Sequence, residues 1–203
     1  MNRNCSRFHR TARMAAPAMG ALALTLVFAG PASADPAFVT VSSGEVRFFA
    51  LPGEENTVTF AEDGGGNLFV GDATSTILAG PGCTQSNPHV VTCGAASAVT
   101  RIRAVLGDGD DFVSNETSIR TDIDGGFGDD ELFGGEGPDR ITDPDGSNVV
   151  HILPTIGGRG GNDTIISRNG RFDTIDCGPG AFDILLADPV DTVSGGCEVV
   201  RRF

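Results

Sequence analysis

The sequence predicts an all-β protein, and three observations carry that prediction. Gly accounts for 29 of 203 residues, a share that disfavours helix-rich folds. Short β-prone runs alternate with turn compositions up to residue 105. From Leu106 onward a large aliphatic residue recurs about every nine positions, an interval at which each segment hides its apolar side chain only by stacking on the next. Units stacked in this way form one elongated solenoid.

The 27 acidic residues outnumber 14 basic ones, all of them Arg, for a net charge of −13, and Lys, Trp and Tyr are absent. That balance excludes a nucleic-acid binder working through a basic patch. Residues 1–34 read as a signal peptide. Arg3, Arg7, Arg10 and Arg13 make a positive start, residues 15–30 are uncharged and mostly apolar, and Ala32-Ser33-Ala34 offers small residues for cleavage after Ala34. An apolar stretch of about 16 residues falls short of the roughly 20 that a bilayer span needs. The expected product is extracellular, with no stable membrane insertion. Without this segment, 10 Arg stand against 27 acids, a charge of −17.

Residues 35–105 form an N-terminal β cap region in this reading. The runs FVTV (38–41), EVRFFA (45–50), NTVTF (56–60), NLFV (67–70) and HVVTC (89–93) are strands joined by turns, and VTRIRAV (99–105) leads into the repeats without a linker. Four cysteines remain after cleavage: Cys83, Cys93, Cys177 and Cys197. Three disulfide pairings are possible, and clustering favours Cys83 with Cys93 and Cys177 with Cys197.

Residues 106–203 carry the repeats and a C-terminal disulfide cap. Residues 125–133 (GGFGDDELF) and 134–142 (GGEGPDRIT) are tandem copies with Gly at the first, second and fourth places, Asp at the sixth and an aliphatic residue at the eighth. Weaker copies follow the same frame at 106–114, 143–151, 158–166, 168–176, 178–186 and 186–194. The eighth place holds Val113, Leu132, Ile141, Val150, Ile165, Ile175, Leu185 and Val193, with Ile123 in a copy whose turn has lost its glycines.

Over roughly 106–194 this pattern resembles the RTX, or haemolysin-type calcium-binding, nonapeptide repeat GGxGxDxUx, in which U is a large aliphatic residue. The resemblance implies a parallel β-roll of six-residue turns and three-residue strands. Turns two repeats apart would stack, with Ca²⁺ between them on sixth-place Asp and turn carbonyls. Carried onto this chain, the metal residues are Asp111, Asp130, Asp139, Asp163 and Asp173, together with the turn positions Asp108, Asp110, Gly125, Phe127, Asp129, Gly134 and Glu136. Asp173, Asp183 and Asp191 follow turns without the Gly pattern. By the same likeness, Cys177-Gly-Pro-Gly and Gly196-Cys197-Glu198 look like an end cap.

Elementary chemistry agrees with that expectation. Calcium takes six to eight oxygens at about 2.3–2.6 Å, and Gly turns can aim several carbonyls at one point while Asp adds charge. Stacked Asp columns repel until a cation joins them. Asn148 in an Asp place, the glycine-free turn before Ile123 and the interruption at 152–157 (ILPTIG) reduce the expectation to on the order of one to three good sites. A metal-free solenoid of Asp-Gly turns is the competing reading, and solvation competes with ligation at Asp108, Asp110 and Asp129.

Catalytic signatures are missing: no HExxH, GxSxG or GxxxxGK[ST] occurs, and the histidines after the signal peptide are His89 and His151. The expected function is non-enzymatic: calcium ligation coupled to folding. The alternative is an adhesion or cell-surface module meeting polysaccharide or a partner protein, with calcium purely structural. A small hydrolase would need a pocket joining His89 or His151 to several carboxylates.

Overall fold

The structure is a computed structural model describing residues 36–145, the backbone of 149–151 and residues 160–203. The signal peptide, Asn148 and the interruption at 152–157 lie outside the described residues.

The described chain is all-β apart from a short 3-10 turn at Ala96–Ala98. Its first strands are β1 (Ala37–Ser42), β2 (Glu45–Phe49), β3 (Thr57–Glu62), β4 (Asn67–Asp72), β5 (Ile77–Ala79), β6 (Thr84–Asn87), β7 (Val90–Ala95) and β8 (Arg101–Val105). The β1–β2 hairpin closes over Ser43 and Gly44, whose positive φ values of 53° and 78° suit a two-residue turn that matches the right-handed twist of its strands. The β3–β4 hairpin closes over residues 63–66, where the Asp63 carboxylate accepts from the amides of Gly65 and Asn67, both at 2.8 Å.

The later strands are β9 (Phe112–Asn115), β10 (Thr121–Asp124), β11 (Glu131–Phe133), β12 (Arg140–Thr142), β13 (Val149–His151), β14 (Thr164–Ser167), β15 (Thr174–Asp176), β16 (Ile184–Ala187), β17 (Thr192–Gly195) and β18 (Val199–Arg202). They form two nine-stranded sheets, one in the order β18-β16-β14-β12-β10-β8-β2-β1-β5 and the other β17-β15-β13-β11-β9-β3-β4-β7-β6. Each strand from β8 on pairs in parallel with the strand two later in the chain. The sheets are mixed rather than parallel throughout, because β1–β2, β3–β4, β4–β7 and β6–β7 pair antiparallel. Both sheets run without a break across residue 105, through β8 with β10 and β3 with β9.

Every strand expected in residues 35–105 is present, and β5 and β6 are additional. The β5 edge is not left open. Gln85 accepts from the Ala79 amide (2.8 Å) and donates to the Ile77 carbonyl (2.9 Å), so a side chain occupies ladder positions that another strand would otherwise take.

The core lies between the sheets. In one, strand register aligns Phe48, Ala104, Ile123, Ile141, Ile165, Leu185 and Val200. In the other it aligns Val58, Val113, Leu132, Val150, Ile175 and Val193. These are the eighth-place residues of the repeat, continued into the cap by Val58 and Phe48. Both expected disulfides form, Cys83 with Cys93 and Cys177 with Cys197.

Candidate metal centre

Each repeat turn hands its sixth-place residue to the start of a strand, so parallel pairing brings these residues into two columns beside the core. Asp111, Asp130, Asp139, Asp163, Asp173, Asp183 and Asp191 are all buried. Carboxylates are rarely hidden from water unless something holds them.

Part of what holds them is a one-directional ladder. Where both partners are described, the carboxylate accepts from the backbone amide of the residue in the same place one rung earlier. Asp130 Oδ1 takes the Asp111 amide at 3.0 Å, and Asp111 Oδ1 takes that of Asn56 at 2.6 Å. In the other column Asp139 takes Thr121 (2.7 Å), Asp163 takes Asp139 (2.7 Å), Asp183 takes Asp163 (2.8 Å) and Glu198 Oε2 takes Asp183 (2.8 Å). Asp191 takes the Asp173 amide at 3.1 Å. Asn56 and Thr121 sit where a column begins, and a neutral residue suffices there to donate its amide. Glu198 ends its column, two positions before Val200 just as Asp183 lies two before Leu185. Reading the repeat by its glycines misses both Asn56 and Glu198; the shared two-residue spacing to an inward aliphatic is the signal that finds them.

Glycine is required by how closely the turns stack. A methyl added to Gly126 (φ 94°) would sit 2.1 Å from the Gly107 carbonyl oxygen, and one on Gly128 (φ 135°) 1.9 Å from that of Gly109. Added to Gly161, it would meet the Gly137 oxygen at 2.3 Å. First-place glycines serve the carboxylates: a methyl on Gly125 would reach Asp130 Oδ2 at 2.4 Å, and one on Gly134 would reach Asp139 Oδ2 at 2.5 Å. The turn carbonyls thus face the next rung close to the carboxylates.

The expected metal residues divide into an inner and an outer set. Asp111, Asp130, Asp139, Asp163 and Asp173 are buried, with Gly125 and Gly134 buried beneath two of them. Asp110, Asp129, Glu136 and Phe127 are exposed and Asp108 is half-buried. Asp108 accepts from the Gly53 amide (2.7 Å) and Asp110 from that of Asp129 (2.9 Å), while Phe127 exchanges backbone hydrogen bonds with Gly107 and Gly109, both at 2.9 Å. Among the described residues, no three His, Cys, Asp or Glu side chains converge as a ligand set on their own. A cation here would need turn carbonyls as well.

The ladder uses one oxygen per carboxylate. Oδ2 of Asp111, Asp163 and Asp183 is buried without a hydrogen-bond partner. Burial pushes the Asp111 carboxyl up to about 8, helped by the charges of Asp130, Asp72 and Asp108. Asp163 is pushed up to about 7 by burial and then by Asp139 and Asp183. Burial raises Asp130 and Asp139 to about 6, and it raises Asp183 with help from Glu198. A column of this kind holds a proton or a cation at neutral pH more readily than separated carboxylates do.

His89 lines a groove of about 340 Å³ with Asp72. Its Nδ1 faces the carbonyls of Ser75 (2.9 Å) and Asp72 (3.1 Å), so it serves as a donor. The Asp72 carboxylate is engaged by Asn56, Thr57, Thr74 and Ser75. One committed carboxylate is short of the several that a hydrolytic site needs. The side chain of His151 lies outside the described residues, and among those described no helix is long and apolar enough to cross a membrane.

No protein-family model, curated protein or solved structure matches the chain. The likeness to the RTX repeat rests on the repeat residues themselves.

Proposed function

We propose that the chain is a secreted, non-enzymatic calcium-binding protein whose repeat half is a parallel β-roll, and that Ca²⁺ ligation between stacked turns is coupled to its folding. The observation that carries this reading is the set of buried Oδ2 atoms of Asp111, Asp163 and Asp183, acceptors without donors in columns of like charge. An oxygen-seeking divalent cation supplies what such atoms lack, and the neighbouring Gly carbonyls provide the neutral part of a calcium shell. Asp111, Asp130, Asp139 and Asp163 would contribute charge, with Asp173 a further ligand. Extracellular calcium modules bind at about 10⁻⁴ to 10⁻³ M, so calcium outside the cell would close the stack and scarcity inside would leave the chain loose for export. Two disulfides accord with an oxidising destination.

Calorimetric calcium titration of residues 35–203, paired with melts in chelator and in millimolar calcium, tests the reading. Binding with a large rise in melting temperature is expected, and Asp130→Ala with Asp139→Ala should remove most of it. An unchanged melt would dismiss the proposal.

A further inference from the structure

The outward face of the first sheet carries charge that calcium ligation leaves unused. Arg201, on β18, lies on this face at its far edge, and five arginines cluster on or beside it nearer the cap: Arg47 on β2, Arg101 and Arg103 on β8, Arg120 just before β10, and Arg140 on β12. These five are half of the ten that follow residue 34. Strand register sets Arg47, Arg103, Asp122 and Arg140 in one row across neighbouring strands. Arg47 pairs closely with Glu45 and Arg101 with Asp122, and Arg120 Nη2 lies 3.7 Å from Asp122. Arg103 and Arg140 are exposed and make no ion pair among the described residues. In a chain with 27 carboxylates, two arginines without one reflect placement rather than a shortage of partners.

The face is also grooved. Between the long side chains of Arg103 and Arg140, β10 presents the shorter Asp122 and Asp124, leaving a trough of about 250 Å³ that Thr142 helps to line. At one end of the row, the β1–β2 hairpin sets Phe38 opposite Phe49, 40% and 37% exposed.

We infer that this face binds a linear acidic polysaccharide, with Arg103 and Arg140 holding anionic groups of successive units. The inference goes beyond calcium ligation and does not depend on it. Neighbouring strands lie about 4.7–4.9 Å apart, so Arg103 and Arg140, two strands apart in one row, project from backbone positions roughly 9.5 Å apart along the stack. A polymer laid across the strands meets them in turn. Arginine suits planar carboxylate and sulfate groups because it donates two parallel hydrogen bonds. Asp122 is held by Arg101 and Arg120, Asp124 on the floor can accept sugar hydroxyls, and Phe38 and Phe49 offer apolar ring faces. The acidic total of the chain opposes every polyanion alike, so local pairing at Arg103 and Arg140 rather than net charge must hold the polymer. A protein partner would call for an apolar centre, whereas the trough between Arg103 and Arg140 is charged.

The test is titration calorimetry of the full secreted chain, at one fixed calcium concentration, against polygalacturonate, which offers carboxylates, and heparin, which adds sulfates. Binding to either polymer is expected, identifies the anion, and should weaken between about 0.1 and 1 M salt as the screening length falls from about 10 to 3 Å. R103Q/R140Q should bind about ten-fold more weakly or worse, with an unchanged melting temperature. R168Q/R171Q, the same charge change in the exposed turn between β14 and β15, should bind as the parent chain does. No binding to either polymer overturns the inference, as does binding that survives R103Q/R140Q, which would mean calcium bridging to the acidic turns. Equal loss in both double variants would reduce the effect to net charge and overturn it too. Self-association in light scattering that R103Q/R140Q abolishes would assign the face to a second copy instead. Because parent and variants share one calcium concentration, failure of the calcium reading leaves each outcome interpretable.

Discussion

The first seven strands and the last ten share two sheets but are stabilised differently. The earlier part closes on itself through antiparallel hairpins and buries Phe48, Phe60, Leu68 and Ile77, with the Phe48 and Phe60 rings edge to face at 6.5 Å. Its buried Asp72 is surrounded by donors. From β9 onward most described strands contribute mainly one buried aliphatic to the apolar column, Val113, Ile123, Leu132, Ile141, Ile165, Ile175 and Leu185, each worth about 1.5–3 kcal/mol, and most rungs add a buried carboxylate. The comparison teaches where a cation acts: the cap is held mainly by apolar area and its buried Asp72 carboxylate is hydrogen-bonded, while the stack carries a column of buried carboxylates of which Asp111, Asp163 and Asp183 leave Oδ2 without a partner.

The largest expected difference between the halves is the response to calcium. If the ion binds only the closed stack, calcium at a hundred times its Kd adds about 2.7 kcal/mol, on the order of a hundred-fold in amide protection. Hydrogen exchange should show that loss over 107–203 in chelator, with β1–β4 far less affected. Uniform loss would mean that the halves unfold as one unit.

Next comes pH. The carboxyls of Asp111, Asp163, Asp130 and Asp139 titrate at about 8, 7, 6 and 6 when folded, against roughly 3.9 in an unfolded chain. The folded state therefore binds more protons than the unfolded one. Calcium-free stability should be fully present below about pH 4 and fall as pH rises through 6 to 8. In the cap the shifts run the other way: a hydrogen bond from Arg47 lowers Glu45, and the Asn67 amide lowers Asp63. Their contribution is present above about pH 4 and lost in acid. Calcium-free melts across this range should show the decline, and Asp163→Asn, which keeps an oxygen for the Asp139 amide, should flatten it. A chain that grows steadily more stable from pH 4 to 8 without calcium would contradict the buried columns.

What the sequence discloses follows the same division. Asp130 and Asp139 stand out because three glycines and an aliphatic residue frame each of them, and the aliphatic ladder was readable to Val193. Pairing with the cap was not readable, since β2 meets β8 across more than fifty residues and no local spacing records that. β5 and β6 escaped notice because ILA and TQSN are too short and too polar to stand out. The carboxylate ladder is hidden for a different reason: an Asp that accepts the amide one rung earlier has its partner 18 to 24 positions away within the repeats, and 55 away where Asp111 meets Asn56, at distances fixed by stacking.

Disulfides offer a smaller contrast. Bridges across 10 and 20 residues each contribute about 3 kcal/mol in the chain-entropy picture. Replacing Cys83 and Cys93 by Ser releases β6, a wholly exposed edge strand against β7. Replacing Cys177 and Cys197 frees β17 and β18, which end their sheets with no later rung above them. The second pair should therefore lower the melting temperature further, and the reverse order would place the weaker end in the cap.

The smallest and sharpest contrast lies between two glycines of similar backbone angle. Gly94, in β7, has φ 77° and open space where a side chain would go, so Gly94→Ala should cost only the left-handed penalty of about 1–2 kcal/mol. Gly126 has φ 94°, and its added methyl would meet the Gly107 carbonyl that already accepts the Phe127 amide. Overpacking adds about 1–3 kcal/mol there. Denaturant midpoints in calcium should separate the two variants by that difference. Gly126→Ala should also weaken calcium binding by displacing a carbonyl between rungs, whereas Gly94→Ala should leave it alone. Equal costs would show that the turns are free to part, and the stack would then need no ion to hold it closed.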